Sequence, residues 1–412
     1  MNIFLGVYAC EPNNGSEPEV GWKMVSEIAK EFPNDTIYAI TKANNKDVIE
    51  KEGYASNIKF FYYAPPKWLT FWKKGGRGIR IYYYIWLIGA ALFMKKQNIK
   101  FGIIHHITFV NDWLPSFFWI LKSKGSKFIW GPIGSHDPID FKFLDGSKRK
   151  VLEAIRIFLQ KFYRNLDPSF HICKYKADCI IGINDNVRKK LRLNDSKYFV
   201  SEPAIGVSKS VIESINLVDK DSKQFTIISV GRLIYIKNFK LTIMAFNDFL
   251  KSNPHIENAK LKIVGDGADR ESLETYIDEL GIKKHVDFMG KIPLIKVQEE
   301  FAKADLFLFP TLENAGFVII EAMSHALPVV AMNYGGSAQF IKTNVDKQLV
   351  SSTTSYEKIA KNLALKVEQF YTDRKLSQKI GLQNKKDILE NFTWEVKAKK
   401  MKKLYMELVD EK

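Results

Sequence analysis

Two cations and two carboxylates in the second half of the chain are spaced for chemistry. Gly231-Arg232 ends an apolar run at 226–230, and Lys237 follows five residues later at the entrance to an amphipathic segment. Arg232 offers a planar fork, Lys237 a point charge, and a helix amino terminus adds fixed partial charge, so together they suit a diphosphate. The alternative is a pair of solvated cations that only keep the protein soluble. Further on, residues 309–332 read FPTLENAGFVIIEAMSHALPVVAM. An apolar strand at 306–309 stops at Pro310, and a polar turn with Glu313 and Gly316 leads into an apolar helical run that holds Glu321. Pro328 ends that run and a further strand begins. An ionised Glu inside an apolar run is costly unless it is paired, which makes Glu321 a candidate ligand contact. Two carboxylates on one such unit first suggest general acid–base work.

Weaker candidates lie elsewhere. The loop YACEPNNGSEPEVGW at 8–22 sets Gly15, Glu17 and Gly21 between a strand and a helix, where backbone N–H groups can approach a phosphate; a plain turn is the alternative. His105 and His106 end another strand and alternate faces, so at most one points beyond it. Imidazole suits sugar hydroxyls near neutral pH, against the alternative of a satisfied core histidine. The WGPIGSHDP segment brings His136 to a strand end as well. Gly265 and Gly267, in VGDGADRESLE, form a tight strand-to-helix turn with backbone close to a nucleotide. They lack the third glycine of a dinucleotide fingerprint.

The elements that must carry these residues alternate in type. Strands are expected at 2–8, 36–41, 58–63, 102–107, 127–130, 179–183 and 197–200, and helices at 19–31, 79–97, 113–122, 150–176 and 185–192. The pattern restarts with strands at 225–230, 260–264, 285–288, 305–309 and 328–331, separated by helices at 238–251, 269–280, 294–303 and 316–325. Strand–helix alternation argues two α/β domains, each a doubly wound parallel sheet. The first domain is expected at 1–205 and the second at 206–392, joined by a linker within 202–222. Helices at 355–370 and 374–391 close the second, and a Lys-rich helix at 393–412 is expected to pack back on the first.

At 412 residues the chain can bury two full cores, and its ordinary hydrophobic fraction excludes disorder and collagen-like structure. The net charge of +16 is uneven: residues 1–205 hold 31 Lys+Arg against 19 Asp+Glu, and the rest hold 31 against 27. No acid occurs from Gly53 to Asn111, a window rich in Lys, Arg, Trp and Tyr that includes Lys74 and Arg77. Such a stretch suits an anionic membrane surface; a solvated basic rim around a buried helix is the alternative. No nucleic-acid recognition motif accompanies the charge. Cys10, Cys173 and Cys179 have neither metal nor redox spacing and point to a reducing compartment. The start lacks a signal-peptide pattern, and the longest apolar run, 81–94, is shorter than the roughly 20 residues of a membrane span. A cytoplasmic protein, peripheral at the inner membrane face, is expected.

With Gly231-Arg232…Lys237 and Glu313…Glu321-Ala322-Met323…Pro328-Val329-Val330 in this order, the chain resembles a retaining GT-B glycosyltransferase of family 4. The segments GSEPEVGW, HHITF and WGPIG resemble a bacterial branch linked to surface polysaccharide. The resemblance implies two Rossmann-like domains facing each other across a cleft. It also implies transfer of a sugar from a nucleotide-diphosphate donor to a hydroxyl of a lipid-linked or polysaccharide acceptor, with no cofactor and no metal. Arg232 and Lys237 would hold the diphosphate, and Glu321 would accept from the ribose. Glu313 would face the sugar, with the N–H groups of Ala315, Gly316 and Phe317 around it. Gly15, Gly231 and Gly265 would lie along the donor. His106 would stand near the reacting carbon, with His105, His136 and Glu17 on the acceptor side. Glu19 stands where the branch more often has Gly, Gln339 where an acid is usual, and Asn314-Ala315-Gly316 where Gly-Phe-Gly is commoner. Another GT-B activity, such as an epimerase or glycogen-type synthase, is the rival enzyme. A membrane- or polyanion-binding scaffold is the non-enzymatic rival.

Overall fold

The structure, a computed structural model, describes residues 1–73, 75, 78–216, 223–313 and 316–410. Ala315, Lys74 and Arg77 lie outside the described residues, as does part of the expected linker. The chain forms two compact units. Unit 1 holds Met1–Ser135, Ala154–Gly206 and Trp394–Lys412, and unit 2 holds His136–Glu153 and Val207–Thr393.

Unit 1 is built on seven parallel strands: β1 (Asn2–Gly6), β2 (Thr36–Lys42), β3 (Ile58–Tyr63), β4 (Ile103–His106), β5 (Lys127–Ile133), β6 (Cys179–Gly182) and β7 (Tyr198–Ser201), in the order β3-β2-β1-β4-β5-β6-β7. Unit 2 repeats the plan with six: β8 (Phe225–Val230), β9 (Ala259–Val264), β10 (Val286–Gly290), β11 (Leu306–Leu308), β12 (Val329–Asn333) and β13 (Leu349–Ser351), in the order β10-β9-β8-β11-β12-β13. The central strands are covered on both faces, which is why IFLG, IIHH, FTIIS and LFL read as continuous apolar runs with few alternating polar residues. In both units the strand order reverses beside the first strand, between β1 and β4 and between β8 and β11. Loops leaving the carboxyl ends at such a reversal form the natural ligand crevice.

The helices that matter below are α1 (Ser16–Glu31), α2 (Ile79–Lys96), α3 (Ser147–Leu166), α4 (Pro168–Lys176), α5 (Phe239–Ser252), α6 (Arg270–Leu280), α7 (Phe317–Ser324), α8 (Tyr356–Thr372), α9 (Arg374–Asn391) and α10 (Trp394–Asp410). Helix α10 packs on α1: Tyr405 stacks on Phe32 at 5.8 Å, and Lys402 reaches Glu31 at 3.5 Å. Its Lys397 is 2 % exposed and pairs with buried Glu202 at 2.8 Å.

Four expectations need correction. Residues 136–153 belong to unit 2, not to the first domain. Lys142 Nζ donates to the Ser352 and Thr354 carbonyls (2.8 and 2.7 Å), Arg149 pairs with Asp269 at 2.9 Å, and Phe143 meets the Tyr356 ring edge at 5.9 Å. The helix expected at 113–122 is reduced to a 3₁₀ turn, Phe118–Leu121, because Asn111 Oδ1 accepts from the N–H of Leu114 and Pro115 follows. The single helix at 150–176 is two. Pro168 stands at the first position of α4, and Asp167 caps it by accepting from Ser169 N at 2.8 Å. Strand β13, three residues long, carries no periodic signal and was not expected.

Candidate active site

The loops after β8 and β11 meet at the strand-order reversal of unit 2 and bring Lys237 and Glu313 together as an ion pair. Both side chains are largely shielded, at 13 % and 20 % exposed, and the Lys237 ammonium also lies over the Phe309 ring at 5.4 Å. The pair is held by stitching between the two loops. Leu312 N donates to the Ile236 carbonyl (2.9 Å), Asn238 Nδ2 to the Pro310 carbonyl (3.1 Å), and Thr311 Oγ1 accepts from Glu313 N (3.1 Å). Asn238 takes the left-handed conformation at φ 57°, which Asn tolerates, and Tyr356 Oη donates to its Oδ1 at 3.1 Å. Sequence reasoning passes over Asn238. An Asn directly after the lysine, at a helix start, was the available signal.

Arg232 is exposed, and among the described residues its guanidinium has no carboxylate partner. It leaves β8 one residue after Gly231. The glycines beside it have a packing cause: a Cβ on Gly265 would collide with the Gly231 carbonyl oxygen, and one on Gly267 with the Leu233 carbonyl. Gly265 and Gly267 thus let the β9 loop press against the β8 loop and fix Arg232's backbone.

Gly316 precedes α7 at φ 79°, and a Cβ there would come within 2.8 Å of the Phe340 ring. Phe317 opens α7; the Ile319 N–H donates to the Gly316 carbonyl at 3.0 Å, and the N–H groups ahead of it, at Phe317 and Val318, can serve an anion or a hydroxyl. Glu321 sits half-buried on the same helix; its backbone carbonyl accepts from His325 Nδ1 at 2.9 Å. A separate cavity of about 1230 Å³ in unit 2 is bordered by Lys142, Arg149, Tyr235, Tyr276 and Tyr356. None of Arg232, Lys237, Glu313 or Glu321 reaches it. The Lys237–Glu313 pair stands instead at the strand-order reversal.

The corresponding place in unit 1 has a different character. His105 is fully buried. Its Nε2 donates to the Gly131 carbonyl at 2.7 Å, so its Nδ1 accepts from Tyr405 Oη at 2.5 Å. Both ring nitrogens are spent within the fold, and His105 leaves nothing for an acceptor. His106, 1 % exposed, sets Nε2 3.0 Å from Tyr83 Oη. Burial pushes His105 down to about 4, with the Gly131 carbonyl opposing; burial and then the neighbouring His105 push His106 down to about 3. Glu17, in the first turn of α1, accepts from Phe109 N at 2.7 Å. Burial raises its pKa, against that hydrogen bond and the nearby Arg80. Gly15 caps α1 at φ 47° with open space around it. His136 is exposed and belongs to unit 2, whereas His105, His106 and Glu17 belong to unit 1. Among the described residues no group of three or more His, Cys, Asp or Glu is arranged to hold a metal ion.

The family likeness of the chain falls within unit 2. Residues 212–387 match the family model of glycosyl transferases group 1. An uncharacterized glycosyltransferase of Methanocaldococcus jannaschii is 32% identical over 189 residues, 46% of each chain. A GDP-mannose-dependent alpha-(1-6)-phosphatidylinositol monomannoside mannosyltransferase of Mycobacterium tuberculosis is 25% identical over 184 residues, covering 43% of this chain and 46% of that one. The chain thus spans about half the length of the curated relatives it matches. Among solved structures, the sucrose-phosphate synthase of Thermosynechococcus elongatus superposes over the whole of both chains with a TM-score of 0.65 at 17% identity. The chain has the GT-B fold, and its residues 212–387, which carry Arg232, Lys237, Glu313 and Glu321, match the glycosyl transferases of group 1.

Proposed function

We propose that this protein transfers a sugar from a nucleotide-diphosphate donor to a hydroxyl of a lipid-linked or polysaccharide acceptor. The anomeric configuration would be retained, and the setting would be cell-surface polysaccharide assembly at the inner, anionic face of the membrane. The observation that carries the reading is the meeting of Lys237 and Glu313 at the strand-order reversal of unit 2, with the exposed Arg232 just after β8, all within the matched residues. The two curated relatives named above are glycosyltransferases by their names, and one is named for a phosphatidylinositol monomannoside, which supports a lipid-linked substrate.

On this reading Arg232 and Lys237 hold the diphosphate and offset the charge that grows on the leaving group, in the place of a metal. The arriving phosphate draws Lys237 away from Glu313, which is then free to accept from a donor-sugar hydroxyl. Glu321 accepts from the ribose, and the first-turn N–H groups at Gly316 and Phe317 meet the sugar and phosphate. Glu17 and His106 line the acceptor side in unit 1. His106, neutral and bonded to Tyr83, orients and does not transfer a proton.

A panel of nucleoside diphosphates and their sugars tests the donor. At 100 times its dissociation constant the matching ligand stabilises by about 2.7 kcal/mol, read as a rise in melting temperature. With that donor labelled, chromatography and NMR of the product should show the sugar on an acceptor hydroxyl with its anomeric configuration kept. Inversion would remove the retaining mechanism, and donor isomerised without acceptor would point to an epimerase.

A further inference from the structure

The part of α3 in unit 1 is turned inside out. A helix on a soluble domain normally buries its apolar stripe and shows its charges to water. Here Gln160 is buried, and Arg164 points inward, giving Nη2 to Asp112 Oδ2 at 2.8 Å and Nε to the Asp112 carbonyl at 3.0 Å. Facing out are Ile155, Phe158, Leu159, Phe162 and Leu166, with Phe158 65% and Leu166 64% exposed. Their spacing is that of one continuous helical face. An outward apolar stripe of this length marks a surface that is covered by something.

At its end the α3 face meets aromatic and basic groups near α2. Tyr163 packs on Trp113 at 5.7 Å, Arg80 of α2 lies over the other side of that contact at 5.4 Å from the Trp113 ring, and Tyr84 Oη donates to Asp167 at 3.3 Å. Just before α2, Trp68 and Phe71 stand 73% and 80% exposed. The surroundings are basic: Lys161 and Lys176 are exposed, Asp167 is the one acid of 154–176, and 53–111 hold no acid at all. A second copy on this face would set like charge against like charge. Anionic headgroups over acyl chains match both the charge and the apolar stripe.

We infer that α3 lies in the headgroup layer of an anionic membrane with Phe158, Phe162 and Leu166 among the acyl chains. The inference deepens the membrane placement proposed above and rests on it. Among the described residues no helix is long and apolar enough to cross a membrane, so α3 lies along the surface.

The full chain is sedimented with phosphatidylglycerol–phosphatidylcholine vesicles and with phosphatidylcholine vesicles alone. Preference for the anionic vesicles is expected, with part of the binding surviving about 0.5 M salt, where exposed charge attraction is largely screened. The variant F158S/F162S/L166S should lose that salt-resistant part, by roughly tenfold or more given the area it withdraws. Its melting shift with the matching nucleotide should match that of the parent, which shows it folded. A second variant, Phe158→Trp, should add to the parent's fluorescence a signal that brominated acyl chains quench. Unchanged vesicle binding by the triple variant, or an added indole signal that stays unquenched on bound vesicles, overturns the inference. So does a dimer by light scattering that the triple variant dissociates, because a second copy would then cover the stripe. Absence of any nucleotide shift in the parent would sink the transfer reading and leave the vesicle result to decide α3.

Discussion

Units 1 and 2 share one plan and part company at the same point of it. Each is a parallel sheet whose order reverses between its first and fourth strands, and in each the loops after those two strands meet. At the reversal in unit 2 stand a largely shielded Lys237–Glu313 pair and an exposed Arg232. At the reversal in unit 1 stand two buried neutral histidines, a tyrosine on each, and Glu17 bonded to a backbone N–H. Topology places a crevice; the residues on its loops decide whether it is a charged anchor or a dry, hydrogen-bonded support. A diphosphate needs the first. A neutral hydroxyl acceptor is compatible with the second.

The sharpest way to break this contrast is to remove charge from unit 2. Arg232→Ala and Lys237→Ala should each lower turnover by about 10²–10³-fold, the usual loss when a group that stabilises developing negative charge is deleted. The melting temperature without ligand should hardly move for Arg232→Ala, since that side chain is exposed. Lys237→Ala leaves Glu313 without its partner and should cost a little stability as well. Steady-state kinetics with melting curves separates the two quantities. Turnover within a few-fold of the parent for the double variant would show that the pair is only a structural ion pair.

The converse substitution belongs to unit 1. His105→Ala strands the Tyr405 hydroxyl and the Gly131 carbonyl in a closed interior and opens a cavity beneath α10. The expected cost is about 3 kcal/mol of unfolding free energy, from urea melts, with donor affinity unchanged. If donor affinity collapses while stability holds, His105 serves the ligand and the contrast between the units is wrong.

The same contrast governs what the sequence could reveal. The placing of Glu313, Glu321, Arg232 and Lys237 on strand-end loops and a helix start was legible because strand ends and Pro and Gly turns mark those places in the chain. The strands were legible because doubly covered parallel strands are unbroken apolar runs. His105 was not legible: its partner Tyr405 lies 300 residues away on α10, and no local spacing announces that bond. His136 was misplaced for a related reason. The chain leaves unit 1 at Ser135 and returns at Ala154, and what holds the excursion is a set of contacts to Asp269, Ser352, Thr354 and Tyr356, all distant in sequence. The tight turn at Gly265 and Gly267 was legible but its packing partner was not, because a tight turn for a ligand and a tight turn for a neighbouring loop look alike until the neighbour is known.

The smallest expected effect sharpens the contrast by pH. His105 and His106 are held neutral in the fold, at about 4 and about 3, against about 6.5 in an unfolded chain. Between those values the unfolded chain binds protons that the folded chain refuses, so unfolding gains as pH falls. Their contribution is complete above about pH 6.5 and drains away towards pH 4, with a slope of up to about 1.4 kcal/mol per pH unit for each histidine. Glu17 works in the opposite sense. Burial raises its pKa, so the folded chain gains its proton first and is favoured as pH falls. Glu202, held low by Lys397 and Lys400 against its burial, loses its contribution only at the acid end of the window, below the ordinary carboxylate range. The clean measurement is therefore a difference: urea melts between pH 4.5 and 7 for the parent and for His105→Gln. The variant should be less stable at pH 7 yet show the shallower acid slope. Equal slopes would mean that His105 takes up its proton inside the fold, and the dry, neutral support assigned to unit 1 would have to be given up.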